Sequence, residues 1–157
     1  MKSITESSHI AIVARDYAEK YTGTTNLEEA CHIIHDRGAL IAGVTDGANG
    51  SYFVWPDGTF YRCQAFPQEY VVDTTGAGDS FHGAFLSKLV TLLRELAPVE
   101  GLKTSTYAID LLQHCGHSDL EKTAIFASAV AALNTQGIGG RSALPSLHVV
   151  NKLMGLE

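Results

Sequence analysis

Val71-Val72-Asp73-Thr74-Thr75-Gly76-Ala77-Gly78-Asp79-Ser80-Phe81 compresses a change of periodicity into one junction. The residues before it predict a strand over Glu69–Val72, Thr74–Gly78 reads as a turn, and the apolar spacing beyond it predicts an amphipathic helix from Asp79 to Leu96. Gly76 and Gly78 carry no side chain to fend off a bulky anion, so backbone N–H groups of the turn can approach one directly. The helix that follows points its positive end at the same spot. Such a junction suits an anion hole for charge developing on a transferred phosphoryl group. Asp79 brings a carboxylate into the helix's first turn, where a general base would orient an attacking hydroxyl and take its proton late. The same residues also suit a plain helix cap behind a glycine turn; Asp73, Thr74 and Thr75 weigh toward chemistry. A dinucleotide fingerprint fails because Phe81 stands where its third glycine belongs, and no Gly-x-x-x-x-Gly-Lys-Ser/Thr occurs.

Upstream, the pattern alternates. Ile10–Ala14 reads as a strand, Asp16–Tyr21 as a short helix stopped by Gly23, and Asn26 as the cap of a second helix that runs to Gly38. Ala39–Thr45 is apolar and bounded by glycine, as a central strand would be. Tyr52–Trp55 and Thr59–Cys63 flank Pro56-Asp57-Gly58 and predict a β-hairpin. Downstream, Pro98–His117 reads as a break followed by a short helix over Tyr107–His114. A long helix over Leu120–Leu133 then carries small residues suited to close packing and is ended by Gly137, Gly139 and Gly140. The whole predicts one α/β domain over residues 1–157, with helices layered on a largely parallel sheet and ligands gathering at the strands' carboxyl ends.

Composition narrows the partners. The chain has 157 residues, 45% hydrophobic and 18% charged, which is enough to bury a core without disulfide or metal staples. Eleven Lys plus Arg against 17 Asp plus Glu give a charge of -6, so no general basic field exists for nucleic acid or an anionic membrane. Met1–Ile10 lacks the apolar run of a signal peptide and Ala124–Leu133 is too short to span a bilayer, so a soluble cytoplasmic protein is expected. Cys31, Cys63 and Cys115 are odd in number and widely spaced, as expected of free thiols.

At Val72–Phe81 the sequence resembles the signature of the PfkB, or ribokinase-like, carbohydrate kinases. Val44-Thr45-Asp46-Gly47-Ala48-Asn49-Gly50 resembles that family's nucleotide loop, and Ala18–Gly23 the segment before it, in matching order. Ala65-Phe66-Pro67 followed by Val71-Val72-Asp73 is similar to ketohexokinase-type members. The resemblance implies the layered α/β/α ribokinase-like fold and transfer of the γ-phosphate of ATP to a sugar hydroxyl, with Mg²⁺ and, in many members, K⁺. It implies Asp79 as base, Gly76, Ala77 and Gly78 as anion hole, and Thr45, Asp46, Gly47, Gly50, Gly78 and Ser128 as nucleotide contacts. It further implies Asp73, Thr75, Asn134, Gly137, Gly139 and Ala143 as oxygen donors to a monovalent cation.

The match departs from the family in three places. The Asn-x-x-Glu that organises magnesium-bound water aligns with Ala14-Arg15-Asp16-Tyr17 and is absent. Asp46 puts a negative charge in the nucleotide loop, either for a ribose hydroxyl or facing solvent. The resemblance covers only the family's C-terminal half, so the sugar-binding half and lid are expected to be missing, and uncovered surface would favour self-association. The alternative reading is a nucleotide-binding or oligomerising module without chemistry. Cys31 with His35, and His114, Cys115 and His117, are too few and poorly spaced for a zinc site. The aromatics around Trp55 fit core packing better than a stacking platform.

Overall fold

The computed structural model describes residues 4–97 and 105–156. In chain order the elements are β1 (Ile10–Ala14), α1 (Arg15–Thr22), α2 (Leu27–Asp36), β2 (Ile41–Thr45), β3 (Ser51–Val54), β4 (Phe60–Cys63), α3 (Ala77–Leu96), α4 (Ser105–Gln113), α5 (His117–Asn134) and α6 (Leu147–Leu153). The strands lie in the order β1-β2-β3-β4; β1 and β2 are parallel, while β2–β3 and β3–β4 are antiparallel. The sheet is therefore mixed among the described strands, because the expected hairpin supplies half of it. Its tip closes where the Trp55 amide donates to the Thr59 carbonyl at 2.9 Å and Gly58 takes a φ of 84°.

Alternation along the strands builds three layers. Ile41, Phe53 and Trp55 face α3 and α5, where they pack with Phe81, Phe85, Leu120 and Ala124. Ala42, Val44 and Val54 face the other way, onto Ala30, Cys31 and Ile34 of α2. Gly43 makes room between them: a Cβ there would sit 2.7 Å from the Phe53 ring. Burying a ring as completely as Phe53 is buried stabilises the fold by about 3 kcal/mol. Small residues along α5 bury it on more than one side, with Ala124 and Ala127 toward the first core and Ala129, Val130 and Leu133 toward Val150 of α6.

Asn26 caps α2 as expected, accepting from the amides of Glu28 and Glu29, and Gly23 ends α1 with a φ of 82°. The segment Glu69–Val72 is not a strand. Past Cys63 the chain leaves the sheet edge and crosses to the end of α5, where the amides of Val72 and Asp73 both donate to the Thr135 carbonyl, at 2.8 and 3.1 Å. α3 starts at Ala77 rather than Asp79 because Gly76 adopts the left-handed conformation, φ 77°, that turns the chain into the helix. α5 starts at His117 rather than Leu120, and α6, a single short helix after Pro145, was not foreseen. The expected break from Pro98 lies, as far as Thr104, outside the described residues. Among the described residues no helix is long and apolar enough to cross a membrane.

Candidate functional site

A cavity of about 610 Å³ opens between the loop after β2, the crossing segment after β4, the start of α3 and the last turns of α5. The loop contributes Thr45, Gly47, Ala48 and Gly50; the crossing segment Ala65, Phe66, Pro67 and Gln68; α3 Ala77, Gly78 and Phe81; and α5 Ser128, Ala132 and its neighbour Thr135. No ionisable side chain lines it, so its walls suit a neutral, partly apolar group such as a nucleobase. Ser128 lies on the wall and donates to the Gln64 carbonyl at 3.1 Å, tying the crossing segment to α5. Gln136 extends that tie, donating to Gln68 at 2.7 Å.

The turn before α3 stands at one end of this cavity. The Ala77 amide donates to the Thr74 carbonyl at 3.2 Å and the Ser80 amide to the Gly76 carbonyl at 2.8 Å. Among the described residues, the amides of Gly78 and Asp79 have no acceptor and α3 has no side-chain cap. These are the orphan donors that a helix N-terminus offers to an anion. The Asp79 side chain follows Gly78 directly, is exposed, and makes no hydrogen bond or ion pair among the described residues. It is free to meet a hydroxyl.

Behind the turn lies the loop from Gly137 to Ala143. Asp73 holds the two together, its carboxylate accepting from the amides of Thr75 and Gly139, each at 2.8 Å. Hydrogen bonds from the Thr75 side chain and amide, then from the Gly139 amide, hold the Asp73 carboxyl below the usual 3.8. Gly76 and Gly140 approach so closely that a Cβ on Gly76 would overlap the Gly140 backbone. Asn134 is fully buried; its Nδ2 donates to the Gly140 carbonyl at 3.4 Å, and its Oδ1 is buried without a partner among the described residues. Gly137 backs onto Ala143, where a Cβ would come within 2.8 Å. Asp73 is thus tied to Thr75 and Gly139, Asn134 to Gly140, and Gly137 packs on Ala143, along one turn and one loop. The orphaned buried Asn134 Oδ1 is the kind of oxygen ligand that a hard cation takes.

Among the described residues no three His, Cys, Asp or Glu side chains gather, and the Ala14–Tyr17 segment places Arg15 at the strand end instead. Arg15 donates to Asp46 at 3.0 Å and to Glu19 at 2.7 Å, and Asn49 also donates to Asp46, at 3.1 Å. The Asp46 side chain is therefore only 13% exposed, is engaged by Arg15 and Asn49, and is not among the residues that line the cavity. The glycines on either side remain at the cavity, with Gly50 at a φ of 97° where a Cβ would overlap the Cys63 carbonyl.

Cys31 is buried with its thiol pushed up to about 12, chiefly by burial, and its Sγ lies 3.4 Å from the Tyr52 carbonyl. His117 instead pairs with Asp57 of the hairpin at 2.7 Å. Trp55 and Phe53 are stacked at 4.9 Å inside the core. The crossing segment and Gln136 carried no periodic signal, which is why residue patterning alone does not find them.

The open amides at the start of α3 thus stand, through Ala77 and Gly78, at the wall of a neutral cavity in an α/β domain. The sequence matches the pfkB family carbohydrate kinases over residues 1–147, and the chain belongs to that family. It is 33% identical over 103 residues to an uncharacterised sugar kinase of Dictyostelium discoideum, covering 66% of this chain and 22% of that protein. It is 35% identical over 91 residues to 5-dehydro-2-deoxygluconokinase of Bacillus subtilis, covering 56% of this chain and 27% of that one. Its fold matches a fructokinase double mutant of Vibrio cholerae, solved with fructose, ADP and potassium ion, with a TM-score of 0.73 at 21% identity. That match covers 96% of this chain and 42% of the fructokinase. The chain thus spans under half the length of these relatives.

Proposed function

We propose that this chain is the nucleotide-binding and catalytic-base half of a PfkB-type kinase that transfers the γ-phosphate of ATP to a sugar hydroxyl. The observation that carries the reading is the free Asp79 carboxylate next to the unpartnered amides of Gly78 and Asp79, in the turn whose Ala77 and Gly78 line a neutral cavity. In this reading the base and ribose of ATP lie along Thr45, Gly47, Gly50 and Ser128. The γ-phosphate meets the amides of the Gly76-Ala77-Gly78 turn, where charge gathers in transfer. Asp79 aligns the acceptor hydroxyl and receives its proton as the new P–O bond forms and the bond to ADP breaks.

The oxygens around Asn134 would hold a monovalent cation such as K⁺, supplying fixed positive charge behind the turn. Among the described residues no cluster of carboxylates or imidazoles offers magnesium a site. The acceptor pocket is assigned to the part of the relatives that this chain does not span, since they carry more than twice its length. Without that part, self-association is the expected state. A cytoplasmic location goes with the same reading.

Calorimetry of the chain with ATP tests the nucleotide half directly: heat of binding is expected, and its absence at millimolar ATP would sink the reading. Sugar-dependent ADP release on adding a PfkB-type N-terminal half tests the chemistry. ATP binding with no turnover in any such pairing would favour the non-catalytic module instead.

A further inference from the structure

His82 lies on α3 one turn beyond Gly78, and its ring spans two main-chain carbonyls: Nδ1 is 2.7 Å from the Gly78 oxygen and Nε2 is 2.8 Å from the Ile12 oxygen. The second contact joins the helix to the sheet. Ile41 donates its amide to the His9 carbonyl, so in this parallel ladder the odd residues of β1 face β2 and Ile12 turns its carbonyl to the open edge. Among the described residues, this is the hydrogen bond from an α3 side chain to a strand. A carbonyl oxygen only accepts, so each contact requires a proton on its own nitrogen; a neutral ring supplies one, and the tie to the strand is the tautomer with that proton on Nε2.

The start of α3 needs such a tie. Gly76 offers no side-chain cap, and Gly78 and Gly83 each weaken the helix by about 1 kcal/mol relative to alanine. Ser80 bonds only within its own turn, its hydroxyl donating to the Ala77 carbonyl at 2.9 Å. Phe81 is buried against Phe53, but apolar packing is not directional.

We propose that His82 is a positioning residue for phosphoryl transfer. By bonding Ile12 it fixes the first turn of α3 against β1, so that the Gly78 and Asp79 amides and the Asp79 carboxylate keep one orientation toward the cavity. The catalytic part of this proposal rests on the kinase reading above; the clasp itself does not. Three measurements on the 157-residue chain test it. Long-range proton–nitrogen NMR on the wild type is expected to find Nε2 protonated; an unprotonated Nε2 overturns the proposal. Hydrogen exchange of the hydrogen-bonded Ala77 and Ser80 amides is expected to speed up about 3- to 10-fold in His82→Ala, the worth of one hydrogen bond. His82→Gln, which still carries an amide donor, should restore it. Exchange that is unchanged, or that rises equally in β3 and β4, overturns the clasp. ATP affinity should fall by a similar factor in His82→Ala and recover in His82→Gln. If the wild type shows no heat with ATP, the nucleotide reading fails while the exchange pattern still decides the clasp.

Discussion

Gly76 and Gly78 stand two residues apart and answer to different constraints. Gly76 sits at φ 77° with the Gly140 backbone where its Cβ would go, whereas Gly78 is helical with nothing within 4 Å. Gly76→Ala should therefore destabilise the fold by at least about 1–2 kcal/mol, read as a lower thermal midpoint. Gly78→Ala should leave the midpoint unchanged or raise it, because alanine is the better helix former. If phosphate approaches Gly78 as proposed, that same variant loses ATP affinity in calorimetry while remaining folded. Retained affinity would take the phosphate away from this turn. Asp79 is the complementary case. Its side chain is exposed and unpartnered, so Asp79→Asn should shift stability by less than about 0.5 kcal/mol. ATP binding should survive it, and turnover restored by an N-terminal half should fall about 10²–10⁴-fold. Intact turnover would remove Asp79 as the base.

At the scale of elements, the turn before α3 and the loop after α5 are coupled through one carboxylate. Asp73 is held below 3.8 by its Thr75 and Gly139 partners, so the ionised form is the one the folded state prefers. A depressed folded-state value gives stability that is present above the unfolded value and lost as pH falls through the folded one. The Gly139 amide should accordingly be protected from exchange at neutral pH and lose that protection as the solution is acidified below 3.8. In Asp73→Asn protection should be weak throughout and no longer follow that titration. Elements also mark where sequence patterning succeeds. α2, the hairpin and the body of α3 were legible because each is bounded by a cap or a glycine and shows its period against a core. The run Glu69–Val72 has strand composition, yet the strand assignment depends on a neighbouring sheet edge that composition cannot reveal; its amides go to Thr135 instead. The turn and Asp79 were visible as a contiguous motif. The Asp73–Gly139 tie, the Gly76–Gly140 contact and the His82–Ile12 bond join residues far apart in the chain, and no local pattern encodes them.

Across the whole molecule, one flank is built unlike the others. β1 ends the sheet with the amides of Ile10 and Ile12 turned outward, and His82 of α3 stands at that edge. Leu86 and Val90 follow His82 at successive helical turns, which places them on the same face of α3, and they are 46% and 42% exposed. A strand edge beside an apolar helix stripe is a surface suited to being covered, and under the proposed reading a kinase's other half covers it. Alone, the 16.8 kDa chain should therefore associate as its concentration rises, measured as an increasing mass in sedimentation. Leu86→Glu together with Val90→Glu should keep it monomeric, since two acids on each copy repel across a shared apolar contact. Both side chains are substantially exposed and distant in sequence from the Gly76–Gly78 turn, so the heat of ATP binding should be preserved. The same double variant should also fail to pair with an N-terminal kinase half. A variant that still pairs, or a wild type that stays monomeric at every concentration, would place the covering surface elsewhere.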